Sequence, residues 1–218
     1  MVPAMHNGTP NGTSAKKTGR PRSADADHAI LEATRAALVE LGWGGLTMGD
    51  VATRAGVAKT TLYRRWAGKN ELVVDAVAVL FDELELPDRG SLQADIEDVV
   101  LQFAALLALP EARTALMAVV AESTHDEALR LRIREAIVDR QKCLVVLGRR
   151  RAQERGELPP DGPPLGPHGT DTATQIDLIF DVIAGAVVHR TLVSGEPVDP
   201  AWAHTFTTLL LGGLAAIR

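Results

Sequence analysis

The chain has 218 residues, 46% of them apolar, which is enough to bury a substantial core in one or two domains. The single cysteine, Cys143, excludes an intramolecular disulfide and a thiolate metal cluster, and no apolar run reaches the roughly 18 residues of a membrane span. A net charge of −5 argues, taken alone, against a nucleic-acid partner.

The distribution of charge reverses that conclusion. Residues 1–70 contain ten Lys/Arg and five Asp/Glu, whereas residues 71–218 contain thirteen and twenty-three. A basic front and an acidic rear fit a DNA-binding module joined to a domain that does not touch DNA. Because the N-terminus lacks the apolar region of a signal peptide, we expect a cytoplasmic, nucleoid-associated protein with no membrane partner.

The N-terminal segment, residues 1–22, is predicted to be a disordered basic arm, since it is rich in Gly, Asn, Thr and Pro without apolar periodicity. Gly19-Arg20-Pro21-Arg22 is similar to arms that place arginine in narrow A·T-rich minor grooves. Arg20 and Arg22 are therefore candidate minor-groove residues. A solvated tail with only nonspecific attraction to phosphate explains the same charges equally well.

A long first helix is predicted from a cap at Ser23 to about Leu41, because apolar residues recur at three- and four-residue steps. Gly42 is expected to end this helix. We expect the helix to supply the core against which the following two short helices pack.

The stretch from Leu46 to Glu71 predicts two short helices joined by a tight turn, and the start of a third helix. Thr47 and Asp50 have the spacing of a capping box, and Gly56 is placed to end the first helix in the left-handed conformation. A second helix is expected from about Lys59 to Trp66, with Leu62 facing inward. This arrangement is a helix-turn-helix, whose second helix enters the major groove of DNA.

The outer surface of the second helix offers groups that can contact DNA. Side chains suited to base edges are Lys59, Thr60, Thr61 and Tyr63. Candidate phosphate contacts are Thr47, Arg64, Arg65 and Lys69. A plain helical hairpin with a solvated basic face is the alternative interpretation.

The remaining sequence predicts six more helices, so we expect about nine in an all-α protein. Their approximate spans are 69–86, 91–109, 111–122, 126–155, 171–194 and 200–218. A loop rich in Pro and Gly separates the fourth from the fifth of these, and Arg149 to Arg151 before it are expected to be a solvated helix cap. The last two helices are apolar beyond what one core face requires.

The order Leu-Thr-x-x-x-Val-Ala-x-x-Ala-Gly-Val-x-x-x-Thr-Leu-Tyr-x-x-Trp-x-x-Lys-x-x-Leu resembles the TetR family of bacterial transcriptional regulators, over residues 30–77. The resemblance implies a three-helix DNA-binding domain at 23–68, then an effector-binding and dimerisation domain at 69–218. Ala58 departs from the family, because many members have a capping Ser there. Gly49 also departs, since it has no side chain where some members read a base.

The resemblance further implies a homodimer formed through helices 171–194 and 200–218, and a double-stranded, palindromic operator. The expected function is repression, relieved when an unknown small-molecule effector shifts the helix that follows the DNA-binding domain. Candidates for the effector pocket are Phe103, Leu107, Met117, Phe180 and Ile183, with Glu122 or His125 as polar anchors. Each is individually better explained as core, so the effector-binding residues stay unassigned.

No catalytic residues, metal ligands or cofactor are expected. His125-Asp126-Glu127 lies at a helix start, where capping explains the acidic residues. Two other interpretations stay open: a helical small-molecule-binding protein or enzyme that uses a C-terminal cavity, and an architectural protein that binds DNA without sequence preference.

Overall fold

The computed structural model describes residues 21–162 and 171–216, and these residues form helices with no β-strand. The all-α prediction is confirmed for this part of the chain. The first six helices are α1 (Pro21–Gly45), α2 (Met48–Arg54), α3 (Lys59–Tyr63), α4 (Lys69–Phe81), α5 (Leu92–Ala108) and α6 (Pro110–Ser123). The disordered arm predicted for residues 1–22 is wrong at its end, because residues 21 and 22 belong to α1; residues 1–20 lie outside the described part of the chain.

Three further helices follow, and two of them contain π-helical turns. Helix α7 covers residues 127–154 and consists of Glu127–Ile133, a π-helical turn at Arg134–Val138, and Asp139–Glu154. Helix α8 consists of Thr172–Val188 and a π-helical turn at His189–Ser194, and α9 is Pro200–Ala216. Gly195 stops α8 with a left-handed φ of 67°, so the helix ends at residue 194 as the apolar pattern predicted.

Helix α1 begins at Pro21 rather than after a cap at Ser23, so that part of the prediction was wrong. Proline fits the first turn of a helix because its missing N–H would have no partner there. Gly42 breaks the helix, with φ 66°, as expected. Buried residues of α1 such as Leu38 form one hydrophobic cluster with residues of α2 to α6.

The helix-turn-helix has the predicted local structure. The Thr47 side chain accepts from the Asp50 N–H, and the Asp50 carboxylate accepts from the Thr47 N–H. Gly56 has φ 65°, and the Val57 N–H closes the turn on the Ala52 carbonyl at 3.0 Å. Helix α3 is shorter than expected, because it ends at Tyr63 and the chain turns before buried Trp66.

Helix α4 ends at Phe81 rather than at Leu86, where the apolar pattern predicted its end. The segment that follows is held by Asp95 of α5, a fully buried carboxylate. Asp95 accepts from the Arg89 N–H at 2.7 Å and from the Arg155 guanidinium at 2.9 Å. These charge-assisted bonds fix the crossing from α4 to α5.

No single helix among the described residues is long and apolar enough to cross a membrane. Helices α5 and α6 meet the length and composition criteria only together, as a pair bent by 89°.

Candidate DNA-binding surface and ligand cavity

The outer face of α3 exposes most of the residues predicted to read bases. Lys59 and Thr60 are exposed, Tyr63 is 51% exposed, and Thr61 is half-buried. On the opposite side of α3, Leu62 is fully buried. Helix α3 is thus anchored on one side and presents a donor-rich surface on the other.

The first turn of α3 lies against the first turn of α2. The Lys59 ammonium lies 3.8 Å from the point that a Cβ on Gly49 would occupy. Ala58 is the N-cap of α3, with extended backbone (φ −68°, ψ 141°) and no side-chain cap hydrogen bond. The missing cap, noted as a departure from the family, is therefore real in the structure.

The predicted phosphate contacts divide into two groups. Arg64 and Thr47 are exposed, and the Thr47 hydroxyl in the capping box holds the pKa of Asp50 below its usual value. Arg65, in contrast, pairs with Asp27 of α1 at 2.7 Å. Lys69 donates to the Trp43 carbonyl at 2.9 Å and lies 4.9 Å from the centre of the Trp43 ring. The last two cations thus have partners within the fold.

Of the two predicted minor-groove residues, Arg20 and Arg22, the structure describes the second. Arg22 belongs to the first turn of α1. Arg20 lies outside the described residues.

The part of the chain from Phe81 to Leu214 surrounds a cavity of about 270 Å³. This volume is close to the lower end of the range for pockets that bind drug-sized ligands. The cavity is walled by α4 to α9, and most of its lining is aliphatic or phenyl. Polar side chains at the lining are Gln141, Arg149 and Gln175.

Three of the pocket candidates named from the sequence line this cavity: Phe103, Phe180 and Ile183. Leu107 is fully buried outside the lining, and Met117 is 44% exposed. Neither Glu122 nor His125 belongs to the described lining, and His125 is exposed.

Two arginines expected to be a solvated cap on α7 have partners instead. Arg149 pairs with Asp161 at 2.6 Å, contacts Gln175 at 3.3 Å, and holds the pKa of the Asp161 carboxyl below its usual value. Arg151 donates to the Leu86 carbonyl at 2.6 Å. Arg150 stays solvated as expected, with 67% of its side chain exposed, and its one ion pair is with the equally exposed Glu154 at 3.8 Å.

Gln141 was missed from the sequence, although the pattern contained the signal. Ile133, Ile137, Gln141, Leu144 and Gly148 follow one another at three- and four-residue steps and all line the cavity. A polar residue inside such an apolar stripe faces the interior.

Helices α8 and α9 share an exposed apolar face. Leu178 and Val182 of α8 are 43% and 38% exposed, and Leu209 of α9 is 75% exposed. A shallow apolar groove between the helices includes these side chains and Gly213. Contiguous apolar surface of this kind on a protein marks an interaction site.

None of the described residues form a group of three or more His, Cys, Asp or Glu side chains that could hold a metal ion.

The sequence matches two family profiles. The profile "Bacterial regulatory proteins, tetR family" matches residues 30–76, and "Tetracyclin repressor-like, C-terminal domain" matches residues 86–165. The chain is 32% identical, over 84% of its length and 88% of the relative, to the DNA-binding transcriptional repressor TetR of Mycobacteroides abscessus. This chain belongs to the TetR family of bacterial transcriptional regulators.

Other similarities agree with membership of the TetR family. The uncharacterized HTH-type transcriptional regulator YdeS of Bacillus subtilis is 27% identical over 92% of this chain and 95% of its own length. The crystal structure of the TetR family transcription regulator SCO0332 superposes with a TM-score of 0.67 at 28% identity, covering 87% of this chain and 98% of that one. The protein is therefore a helix-turn-helix transcriptional regulator with a C-terminal helical domain.

The two matched regions contain the candidate DNA-binding surface and much of the cavity wall. Residues 30–76 contain the whole helix-turn-helix, and residues 86–165 contain α5, α6 and α7, which form much of the cavity wall. Members of the TetR family bind DNA and dimerise.

Proposed function

We propose that the protein is a homodimeric repressor that binds a pseudo-palindromic operator and leaves it when a small molecule occupies the cavity. The observation that carries this proposal is the course of α4, which begins beside the DNA-binding surface and ends with Phe81 in the cavity lining. The name of the Mycobacteroides abscessus relative, a transcriptional repressor, supports the sign of the regulation.

Within the DNA-binding surface, we assign base contacts to Lys59, Thr60, Thr61 and Tyr63. Lysine donates to guanine acceptors, and threonine offers a hydroxyl and a methyl group that contacts thymine. Thr61 has less freedom than the other three, because it is half-buried.

Thr47 and Arg64 are the proposed phosphate contacts on the same surface. Arg65 and Lys69 serve mainly to position α3 and the start of α4, since a phosphate would have to compete with Asp27 and with the Trp43 carbonyl. Arg20 and Arg22 are proposed to add minor-groove contacts, and the basic arm to add nonspecific attraction.

Asn70 and Asp75, both in the first half of α4, join this helix to α7, and Asp75 also holds Trp66 of the DNA-binding domain. Asp75 of α4 accepts from the Trp66 indole N–H at 2.9 Å and from Arg132 of α7 at 2.7 Å. Asn70 donates to Asp126, the N-cap residue of α7, at 2.8 Å. Because α7 also lines the cavity, a ligand that moves α7 changes the support of Trp66 and hence the angle of α3.

We further propose that the cavity binds its ligand and does not convert it. Arg149 is the one ionisable side chain of the described lining, and a guanidinium is a poor general base or nucleophile. The rival function, an enzyme that uses this cavity, would need catalytic groups beyond those of the lining.

Selection of random duplexes on the purified full-length protein tests the proposal, followed by fluorescence anisotropy on the enriched sequence. Lys59→Ala should weaken binding to an enriched palindrome at least about fivefold, because one base contact is worth about 1–3 kcal/mol, and should weaken binding to a scrambled duplex less. Arg150→Ala removes the same unit charge from an exposed side chain of α7 and should change either affinity less than twofold.

Failure to enrich any palindrome would contradict the proposal and favour a cavity-based function. If Lys59→Ala weakened both duplexes equally, the protein would be an architectural DNA-binding protein. A screen for small molecules that release the enriched duplex then tests the effector-dependent step.

A further inference from the structure

Gln141 is the polar member of an otherwise apolar stripe on α7 that faces the cavity. Ile137 stands one turn before it and Leu144 three residues after it, and all three line the cavity. A glutamine in such a lining loses its contacts with water, so its amide needs partners inside the protein or in a ligand.

One half of the Gln141 amide has a partner and the other half does not. The Nε2 atom donates to the Phe81 carbonyl at 2.9 Å. The Oε1 atom is buried and has no hydrogen-bond partner within the described part of the chain. The assignment of the two amide atoms follows from chemistry, because the reverse orientation would place two acceptors against each other.

We propose that the cavity takes a mainly hydrocarbon ligand carrying one neutral hydrogen-bond donor, a hydroxyl or an N–H, which Gln141 Oε1 accepts. This inference rests on the proposed function, in which the cavity holds the effector. The apolar lining provides the affinity and the unpaired oxygen selects the polar group, as expected for a pocket with few polar contacts.

The polar contacts of Arg149 argue against an anionic head group as the main determinant. Its guanidinium already pairs with Asp161 at 2.6 Å. An anionic ligand at Arg149 would either have to displace the Asp161 carboxylate or be repelled by its negative charge. A neutral donor at Gln141 requires no such exchange.

The same amide connects the ligand to the DNA-binding domain. Phe81, whose carbonyl accepts from Gln141, is the last residue of α4, and its ring lines the cavity beside Phe103 with ring centres 5.8 Å apart. A ligand that is hydrogen-bonded to Gln141 Oε1 is thus separated from the last residue of α4 only by the Gln141 side-chain amide. Gln141 is in this proposal both the specificity residue and the link to α4.

A pair of probes that differ in one donor tests the inference: 4-hexylphenol, which has a hydroxyl donor, and 4-hexylanisole, in which a methyl group replaces that hydrogen. Calorimetric titration of the full-length protein should show tighter binding of the phenol by about tenfold, the value of one hydrogen bond. Gln141→Met keeps the length of the side chain but removes the acceptor, and should reduce that ratio to about one. Leu144→Met, an apolar exchange at the same wall, should leave the ratio unchanged.

Equal binding of both probes by the unmodified protein would overturn the inference, whether or not the variants fold. A ratio that survives Gln141→Met would also overturn it. If neither probe binds while the protein still recognises its enriched duplex, the ligand class is wrong and the regulator function stands. Failure to enrich a duplex, in contrast, counts against the proposed function whatever the probe ratio.

Discussion

The position of Lys59 depends on a glycine in the neighbouring helix. Its ammonium lies 3.8 Å from where a Cβ of Gly49 would stand, so the long side chain rests over the start of α2. A larger residue than alanine at position 49 would occupy this space and push Lys59 outward. The absence of a base-reading side chain at Gly49 is therefore linked to the placement of the residue that we expect to read bases most strongly.

Ala58 gives a prediction at the scale of a single residue. It has the extended backbone of an N-cap but no side-chain acceptor for the first turn of α3. Ala58→Ser should raise the free energy of unfolding by about 0.5–1 kcal/mol. The reason is that the serine hydroxyl can accept a hydrogen bond from a backbone N–H in the first turn of α3 that has no partner within the helix. Urea unfolding followed by circular dichroism measures this change.

Ala36→Ser is the matched control, because Ala36 is an exposed position inside α1. There the same substitution should lower stability by a few tenths of a kcal/mol, since serine has a lower helix propensity than alanine. If both variants lost stability to the same extent, a missing cap would not be what limits α3.

At the scale of elements, α4 has contacts with both functional surfaces. Its first half holds Trp66 and Arg132 through Asp75, and its last residue lines the cavity. Most of its length is buried between α1, α6 and α7. A helix confined in this way moves as a unit, because packed interiors resist continuous deformation.

Asp75→Ala tests the role of this contact. The substitution leaves the buried Trp66 N–H without its acceptor, so the free energy of unfolding should fall by roughly 2 kcal/mol. Affinity for the enriched duplex should fall severalfold, since Trp66 supports the end of α3. Urea unfolding and fluorescence anisotropy give the two values.

Asp82→Ala provides the comparison for that experiment. Asp82 also pairs with an arginine of α7, Arg140 at 2.8 Å, but it lies at the other end of α4 and both side chains are more than one third exposed. The loss of stability should stay below about 1 kcal/mol. Equal effects of the two variants on duplex binding would show that Asp75 has no special link to α3.

The elements that could be predicted from the sequence are those fixed by local interactions. Thr47 with Asp50, Gly42 and Gly56 each act within a few residues, and each begins, breaks or ends a helix as expected. The predicted end of α4 was wrong because Leu84 and Leu86 continue the apolar pattern of the helix. They lie beyond its last residue, Phe81, and line the cavity. Their path is set by Asp95 and Arg155, which are 60 residues apart in sequence.

Candidate sites show the same division between local and distant causes. The exposure of Lys59 and Tyr63 followed from their helical register. The partners of Arg65 and Lys69 did not, because Asp27 and Trp43 meet them through the packing of α1.

At the scale of the molecule, the two ends of the chain differ in charge and in surface. The basic residues 1–70 contain the DNA-binding face, whereas the acidic remainder contains the cavity and the apolar face of α8 and α9. An acidic rear is repelled by the phosphate backbone, so we expect the molecule to approach DNA with α3 forward. Two such molecules joined through α8 and α9 would present two reading helices to two half-sites.

Leu209→Glu tests this arrangement. Leu209 is 75% exposed on the apolar face of α9, and a symmetric interface would bury it near its copy. A glutamate there must be desolvated without a partner and repels its symmetry mate, so the dimer dissociation constant should rise at least tenfold. Sedimentation velocity over a range of concentrations measures that constant.

Tight binding to the palindrome should be lost when the dimer dissociates, because a monomer contacts only one half-site. Leu209→Glu should therefore weaken binding to the enriched palindrome while the thermal unfolding of the variant stays cooperative. Leu131→Glu is the control: Leu131 is also exposed, at 53%, but lies on α7 outside the face formed by α8 and α9. If the Leu209→Glu protein stayed as dimeric as the Leu131→Glu protein, the dimer interface would lie elsewhere. If it became monomeric and still bound the palindrome with unchanged affinity, operator binding would not require two recognition helices.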